Sequence, residues 1–486
     1  MITRREFAGL LAAGAAAGAA RPNIVFFECD SMDGRVMGNM GHPAARTPNM
    51  DRLAAQGTLL RNTYCNSPQC VPSRSSMWSG LQTHRCEGWN NHKGLERGAP
   101  TFQTHLERAG YTARIFGKTD YLSGAHGLSG SISAWTGPAG IMLPEKGAPK
   151  AILKGEGREG HNRDWEMVRK TIAWIKDSRP AGPFFLHCGP SIPHPPFVTT
   201  QYWLDRIDPA KVTVPPYEAR LHPVMEYMSA RKDTLRPFSR QQIVDIRRTY
   251  FAMIAELDAM VGEVMDAVEQ AGLGGNTYFI FTSDHGEMNM EHRQYLKNAL
   301  YEGSARVPLI IAGPGVRRGA VVDDLVSLVD IFPTLMDMAG AQTPRGLDGH
   351  SLMPLLKGQR ANRPDWVLSQ YHSNMINTGA FMLRRGDWKY IAYAGYEPQL
   401  FNLKEDPEEM RNLAKSRPDV AKDMEARLRR AVDYPAVDAK VKQYDKDSFR
   451  KWRASKSEQE YNDSMAQMYK GWKPEHQRRI EEWLAR

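Results

Sequence analysis

The chain has 486 residues, of which 41% are hydrophobic and 24% charged, and its formal net charge is +9. This composition is that of a globular protein, and the length favours one large domain joined to a smaller one. Lysine and arginine are spread along the chain without a nucleic-acid-binding motif, so the positive charge favours an anionic substrate over nucleic acid.

The first twenty residues resemble an export signal. Arg4 and Arg5 precede a bland stretch of alanine, glycine and leucine that ends before Arg21. This pattern is typical of a twin-arginine signal, and the alternative is a frayed helix, which would be too short to span a bilayer. No later segment is long and apolar enough for a membrane span. We therefore expect residues 1–20 to be the signal of a periplasmic or secreted protein that is exported already folded.

Short apolar runs alternate with helical patterns through most of the chain. The runs predict buried strands at residues 24–27, 113–116, 184–186, 278–282 and 309–311. Helical periodicity covers residues 50–56, 165–176 and 240–271. This alternation predicts an α/β fold with a large mixed, mostly parallel sheet flanked by helices.

Polar side chains recur where the predicted strands end. They are Asp30, Lys118, His194, Asp284 and His285. An aspartate after a strand is usually a turn or helix-cap residue. In parallel sheets, however, ligands bind beyond the carboxyl ends of the strands, so the recurrence of such groups at that edge predicts a functional site.

The pattern changes after about residue 360. Residues 381–385, 388–393 and 400–403 are typical of short antiparallel strands, and a helix is expected over 418–432. We expect a catalytic α/β domain over residues 21–360 and a smaller α+β subdomain over 361–486. The basic tail contains Trp452, Trp472 and Trp483. Such a tail can bind sugar or nucleic acid, but amphipathic helices that pack back on the body are the favoured interpretation.

One of the five cysteines has unusual neighbours. The spacing of the five fits neither a zinc site nor a dense disulfide framework. Cys70 stands at the start of a plausible helix, four residues before Arg74. A helix N-terminus and an adjacent cation both favour the anionic form of a nucleophile, whereas a lone cysteine is ordinarily buried and structural. Residue chemistry alone leaves a low-pKa catalytic thiol and a structural cysteine as the alternatives.

The segment around Cys70 resembles the signature of the sulfatase family. Cys70-Val71-Pro72-Ser73-Arg74 matches Cys-x-Pro-Ser-Arg, in which a formylglycine-generating enzyme oxidises the cysteine to formylglycine. Further segments match in the same order, namely Asp30-Ser31-x-Asp33-Gly34-Arg35, Met77-Trp78-Ser79-Gly80, Trp89-Asn90-Asn91, Gly117-Lys118-x-Asp120-Tyr121, Ser283-Asp284-His285-Gly286-Glu287, Glu291-His292-Arg293-Gln294 and Trp388-Lys389-Tyr390-Ile391-Ala392-Tyr393. The resemblance covers residues 22–486 and implies an alkaline-phosphatase-like fold. It is greatest to members that remove the 2-O-sulfate of glucuronate, and it implies a sulfated carbohydrate substrate and activity on small aryl sulfates.

The resemblance also implies a mechanism. Hydrated formylglycine is a geminal diol, and one of its hydroxyl groups attacks sulfur while the sugar alcohol leaves. The second hydroxyl then expels sulfate and restores the aldehyde, whereas a sulfated serine would remain as a stable ester. Calcium is the implied metal, with Asp30, modified Cys70, Asp284 and His285 as its ligands.

The remaining site residues are also carried over from the family. Lys118 and Lys297 match its two active-site lysines, and Arg74 matches the arginine that orients formylglycine. His194 and His222 match histidines that protonate the leaving alcohol or bind the sugar, and the sequence does not separate the two roles.

Three positions depart from the commonest family pattern. Ser31 replaces a second aspartate, His285 replaces an asparagine, and Asp120 replaces a histidine two residues after Lys118. The first two departures are shared with the glucuronate-2-sulfatases and indicate a subfamily. They leave the metal coordination number open, with Asp33 as a further candidate ligand, and a zinc site is the weaker interpretation.

Two other functions compete with the sulfatase interpretation. A phosphonate monoester hydrolase or phosphodiesterase would share the fold and formylglycine. A non-catalytic protein that binds sulfated glycans would keep the fold without turnover, but the intact Cys70, Arg74, Lys118, Asp284 and Lys297 argue against it.

Overall fold

The structure is a computed structural model that describes residues 21–128, 131–132, 156–468 and 474–485. The predicted export signal and Trp472 lie outside these residues, and so the export signal remains a prediction.

A mixed eight-stranded sheet forms the centre of the molecule. Its strands are β1 (Asn23–Cys29), β2 (Thr58–Tyr64), β3 (Thr112–Gly117), β4 (Phe184–Gly189), β5 (Thr277–Ser283), β6 (Arg306–Val307), β7 (Leu309–Ala312) and β8 (Ala320–Ser327). The order is β3-β4-β1-β5-β7-β2-β6, with β8 paired to β2. The first four strands in this order, β3, β4, β1 and β5, are mutually parallel, which confirms the mostly parallel sheet. The predicted run at 309–311 is a strand, but it lies antiparallel to β5.

Fifteen helices of the described residues surround this sheet and continue into the C-terminal part. They are α1 (Pro48–Gln56), α2 (Cys70–Ser79), α3 (Thr83–Cys86), α4 (Phe102–Arg108), α5 (Asn162–Ala173), α6 (Gln201–Leu204), α7 (Pro223–Arg231), α8 (Arg240–Gln270), α9 (Glu302–Ala305), α10 (Ile331–Ala339), α11 (Met353–Leu356), α12 (Pro418–Ala431), α13 (Tyr434–Ala454), α14 (Glu458–Met468) and α15 (Pro474–Ala485). None of the described helices combines the length and apolarity needed to cross a bilayer.

Strand β1 is buried on both faces, because successive side chains of a strand point to opposite sides. Val25 and Phe27 pack into the core that contains α8, while Ile24 and Phe26 pack into the core that contains α2 and α10. This explains why the strand is a continuous apolar run rather than an alternating one. The long helix α8 begins with a capping box at Ser239.

A second, antiparallel sheet follows the main body. Its strands are β9 (Trp366–Tyr371), β10 (Ala380–Arg385), β11 (Trp388–Tyr393) and β12 (Tyr396–Asn402), in the order β12-β11-β10-β9. One face, with Met382, packs toward Tyr64 of the main body, and the other, with Leu383, packs against α12. The small C-terminal sheet is therefore confirmed, whereas the domain boundary at residue 360 remains a prediction.

The tail helices pack back on the body, as their amphipathic pattern indicates. Phe449, Tyr461 and Trp483 share a buried cluster with Leu128 and Ile132 of the catalytic part. Trp483 and the partly buried Trp452, two of the aromatic residues that could have suggested a sugar-binding tail, therefore contribute to packing.

Candidate active site

The parallel strands deliver the predicted polar residues to one edge of the sheet. In the register of β1 with β5, Cys29 stands opposite Ser283. The residues that follow, Asp30 and Asp284, therefore lie side by side, and the Asp284 N–H donates to the Cys29 carbonyl at 3.3 Å. Lys118 follows β3 directly.

Four buried side chains converge at this edge. The ligand atoms of Asp30, Cys70, Asp284 and His285 all lie within 4.8 Å of one another. Cys70 Sγ lies 3.3 Å from His285 Nε2 and 4.0 Å from Asp30 Oδ1. The four residues that the sequence predicts as metal ligands are thus brought together in a single group.

The hydrogen bonding of His285 leaves one nitrogen available to a ligand. Its Nδ1 lies 2.9 Å from the Gly286 carbonyl, which can only accept, so Nδ1 carries the proton. A neutral ring then presents the Nε2 lone pair to Asp30, Cys70 and Asp284, which is the arrangement of a metal-binding histidine.

Two adjacent buried carboxylates favour a cation at this site. Burial and the neighbouring Asp30 raise the pKa of Asp284, although Arg74 acts in the opposite direction. A bound divalent cation would compensate the repulsion between the Asp30 and Asp284 carboxylates. Carboxylate oxygens are the ligands that calcium prefers. The thiol of unmodified Cys70 is a softer ligand, so oxidation to formylglycine would replace it with oxygen and make the set harder. The donor set of the modified protein therefore fits calcium.

Cys70 is the first residue of α2, where the helix dipole favours an anion. Burial and the Asp30 carboxylate oppose ionisation of its thiol, but Lys118, Lys297 and His285 outweigh them and hold its pKa well below the usual value. Lys118, Lys297 and His285 therefore favour the thiolate form at the position of Cys70, although two carboxylates lie close by.

Arg74 is completely buried one helical turn after Cys70. Its guanidinium binds Asp284 and Glu28, each at 2.8 Å, and donates to the carbonyls of Lys118 and Cys29 at 3.1 and 3.2 Å. Arg74 therefore fixes α2 to the strand ends and holds Asp284 in place.

Two lysines bring positive charge to the group. Lys118 Nζ lies 2.5 Å from Asp30 Oδ2 and 3.2 Å from Asp120, the residue that replaces the family histidine. Lys297 Nζ lies 2.6 Å from His194 Nε2. Burial raises the pKa of Asp30, but Lys118, His194, His285 and Lys297 together hold it well below the usual range. His194 and Lys297 therefore border the same site.

Family comparisons agree with this geometry. The sulfatase family profile matches residues 22–341, which is most of the chain. The chain belongs to the sulfatase family. A second profile, the C-terminal region of N-sulphoglucosamine sulphohydrolase, matches residues 290–433 of this sulfatase.

Similar proteins are found along nearly the whole length of the sulfatase. Arylsulfatase K of Rattus norvegicus is 39% identical over 496 residues, covering 96% of this chain and 88% of the relative. The fold is shared with the phosphonate monoester hydrolase of Agrobacterium radiobacter (TM-score 0.71, 23% identity, 84% and 95% of the two chains). It is also shared with a 2-O GAG sulfatase (TM-score 0.69, 23% identity, 89% and 94% of the two chains). The protein is a sulfuric ester hydrolase similar to arylsulfatase K.

His222 of the sulfatase occupies a different setting from His194. Its Nε2 lies 2.9 Å from the Glu397 carbonyl, and its Nδ1 accepts from the Val224 N–H at 3.3 Å. The ring is stacked on Tyr393 with 4.5 Å between centroids. His222 thus caps α7, and its ring nitrogens contact the backbone of Glu397 and Val224, whereas His194 contacts Lys297.

Asp33 does not belong to the group of four ligands. Both of its carboxylate oxygens bind Arg35, with the shortest contact at 2.7 Å, and Arg35 also binds Glu291 at 2.7 Å. The suggestion that Asp33 is a further metal ligand is therefore not supported by the structure, because its charge is neutralised by Arg35.

Two buried charges near the site were missed by reasoning from the sequence. Glu28 binds Arg74, and its Oε2 lies 3.0 Å from His187 Nε2. Lys232 donates to the carbonyl of Lys297 at 2.7 Å. The one available signal for Glu28 was a charged residue inside the apolar run of β1, while Lys232 had no signal because its partner lies 65 residues away.

Proposed function

We propose that this protein is an exported, calcium- and formylglycine-dependent sulfatase that removes the 2-O-sulfate of a uronate at the non-reducing end of a sulfated glycan. The observation that carries the proposal is the position of Cys70, buried among Asp30, Asp284 and His285 with Lys118 and Lys297 close enough to depress its pKa. The similarity to arylsulfatase K along 96% of the chain supports the choice of sugar.

Asp30, Asp284, His285 and the oxidised side chain at position 70 would hold calcium. The bound ion would act as a Lewis acid on a sulfate oxygen and on the nucleophile. Asp30 offers Oδ1 to this group, because its Oδ2 is engaged by Lys118.

The lysines supply the charge that sulfate transfer requires. Preorganised cations stabilise negative charge that develops on the sulfate and the leaving oxygen. Lys118 approaches from the end of β3, and Lys297 from the loop that follows His285. Each is already oriented by a partner, Asp30 for Lys118 and His194 for Lys297, and so binding needs little reorganisation.

His194 is the proposed proton donor to the leaving sugar alcohol. Its Nδ1–H donates to the Pro195 carbonyl at 2.6 Å, and its Nε2 accepts from the Lys297 ammonium. The Lys297 ammonium can transfer a proton to Nε2, His194 can pass that proton to the leaving sugar oxygen, and Lys297 is then reprotonated from solvent. His222 contacts the backbone of Glu397 and Val224 rather than a lysine, so it lacks this source of a proton.

The test is release of inorganic sulfate from defined disaccharides that carry 2-O-sulfo-glucuronate, 2-O-sulfo-iduronate or N-acetylglucosamine 6-sulfate. An aryl sulfate and an aryl phosphonate ester are assayed in parallel. We expect the highest kcat/KM for a 2-O-sulfated uronate and faster cleavage of the aryl sulfate than of the phosphonate. Preference for the 6-sulfated sugar would contradict the uronate assignment, and faster phosphonate cleavage would favour a phosphonate monoester hydrolase.

A further inference from the structure

The loop that carries Lys297 has an unusual backbone. Residues 286–301, here the Lys297 loop, contain non-glycine residues in the left-handed region: Asn289, Met290, His292, Arg293, Leu296 and Asn298. The loop folds back on itself. The Met288 N–H donates to the Leu296 carbonyl at 3.2 Å, and the Met290 N–H donates to the Gln294 carbonyl at 2.7 Å. Such conformations persist only where surrounding contacts hold them, and they cluster at functional sites.

Arg293 lies at the tip of this loop, four residues before Lys297. Lys297 contacts His194 at the reaction site, and its carbonyl is held by Lys232. Four residues of extended chain span at most about 14 Å, so Arg293 lies within that distance of Lys297 when measured between Cα atoms. The tip therefore lies within about 14 Å of Lys297, a separation comparable to the length of a sulfated disaccharide.

The Arg293 guanidinium is stacked on an exposed ring. It lies 3.5 Å from the centroid of Tyr217, whose exposed fraction is 51%. Among the described residues, no carboxylate lies within 4.0 Å of it. Stacking orients the planar guanidinium and leaves the N–H groups at its edge available to an acceptor.

The acid nearest in sequence is already engaged. Glu218, which follows Tyr217, binds His292 Nδ1 at 2.5 Å. His292 in turn is stacked on the buried ring of Tyr301, with 3.8 Å between centroids. The loop tip is thus held by His292. Glu218 is hydrogen-bonded to His292, and although burial raises the pKa of its carboxyl group, both His292 and the nearby charge of Arg293 lower that pKa.

We propose that Arg293, stacked on Tyr217, is a subsite for the carboxylate of the uronate that carries the sulfate. The proposal rests on the proposed function. A guanidinium binds a planar carboxylate through two parallel hydrogen bonds, whereas a hydroxymethyl group offers it no such match. In a 2-O-sulfated uronate the carboxylate stands across the ring from the sulfate, so Lys297 and Arg293 would hold opposite sides of one sugar.

The experiment combines two proteins with two substrates. Wild-type protein and Arg293→Gln are compared on a disaccharide with 2-O-sulfo-glucuronate and on the same disaccharide reduced at the carboxyl group. We expect kcat/KM of the variant to fall about 10- to 100-fold on the uronate, mainly through a higher KM. The fold loss in kcat/KM on the reduced substrate should be at least ten times smaller. Arg206→Gln is the matched control, because Arg206 is stacked on Tyr202 at 3.4 Å elsewhere on the surface.

Equal losses on both substrates, or no loss on the uronate, would overturn the subsite. A loss of kcat/KM by Arg293→Gln that is seen only when the neighbouring sugar of the disaccharide carries a 6-sulfate would also overturn it. The anion bound by Arg293 would then be that second sulfate. Tyr217→Ala should reproduce part of the effect, and thermal melting of each variant separates misfolding from lost binding. If wild-type protein cleaves aryl sulfate but neither disaccharide, the uronate part of the proposed function fails, and the subsite fails with it.

Discussion

At the scale of single residues, the least replaceable charge is Arg74. It has no exposed surface, and its two acidic partners, Glu28 and Asp284, have none either. Removing one member of a buried ion pair leaves an uncompensated charge, which is far more damaging than losing a surface pair. Arg74 therefore links stability to the geometry of the predicted metal ligands.

Arg74→Met should lower the free energy of unfolding by about 3–5 kcal/mol, because Glu28 and Asp284 would remain buried without their cation. Urea titration followed by circular dichroism measures this loss. The matched control is Arg61→Met, since Arg61 pairs with Asp323 at the surface. The free energy of unfolding of this variant should fall by less than about 1 kcal/mol. Similar, small losses for both variants would contradict the role given to Arg74.

Sequence reasoning identified residues at strand ends and missed their buried partners. Asp30 and Asp284 were predictable because parallel strands place their carboxyl ends at one edge, and Cys70 because of its signature. His194 and His222 could not be separated from the sequence, since the difference is which atoms each ring contacts. Lys232 and Glu28 act through contacts that only the folded chain creates.

At the scale of elements, α7 braces the Lys297 loop. The helix begins after His222 and ends before Lys232. The Tyr295 hydroxyl donates to the Lys232 carbonyl at 3.2 Å, and Lys232 Nζ donates to the Lys297 carbonyl at 2.7 Å. A buried ammonium is costly, and the benefit that we propose at this position is a fixed Lys297, the proposed catalytic lysine.

Lys232→Met should separate stability from activity. Burial lowers the pKa of Lys232 to about 7, opposed by Glu287 and reinforced by Lys297. The unfolded chain, with a lysine pKa of about 10.4, binds more protons between pH 7 and 10.4. Wild-type stability should therefore rise with pH across that window and be lowest below pH 7.

The methionine variant should lose this pH dependence and show an equal or higher Tm at pH 6. Its kcat should fall about tenfold, because the Lys297 carbonyl loses its donor. Tm and kcat are measured on the same samples from pH 6 to 10. A parallel fall of both quantities would show that Lys232 is merely structural.

Strands β1, β4, β5 and β7 were predictable because they are apolar runs buried along their whole length. The prediction of a buried strand at 113–116 was wrong in its burial, because β3 lies at the edge of the sheet and is exposed or partly exposed at every residue. Strand β2 lacks that signal, since Arg61 is exposed and Asn62 is partly exposed, and the outer residues of β8 are exposed as well. Their pairing to each other, parallel and at the far side of the sheet, depends on tertiary contacts. The antiparallel direction of β7 is likewise invisible in its composition.

At the scale of the whole molecule, calcium should couple catalysis to stability. A ligand that binds only the folded state raises Tm by mass action. Calcium should raise Tm and restore the activity that a chelator removes, because it would offset the repulsion between Asp30 and Asp284. Asp30→Asn should abolish most of the Tm response. Indifference of both Tm and activity to chelator and calcium would remove the metal from the scheme.

We propose that oxidised Cys70 is the nucleophile of sulfate ester hydrolysis. The decisive measurement uses protein prepared with graded amounts of formylglycine-generating enzyme. Mass spectrometry of the Cys70 peptide gives the fraction converted to aldehyde, and aryl sulfate turnover gives the specific activity of each preparation. We expect specific activity to rise in proportion to the converted fraction, along a straight line through the origin. Full activity in protein whose Cys70 remains a thiol would contradict it.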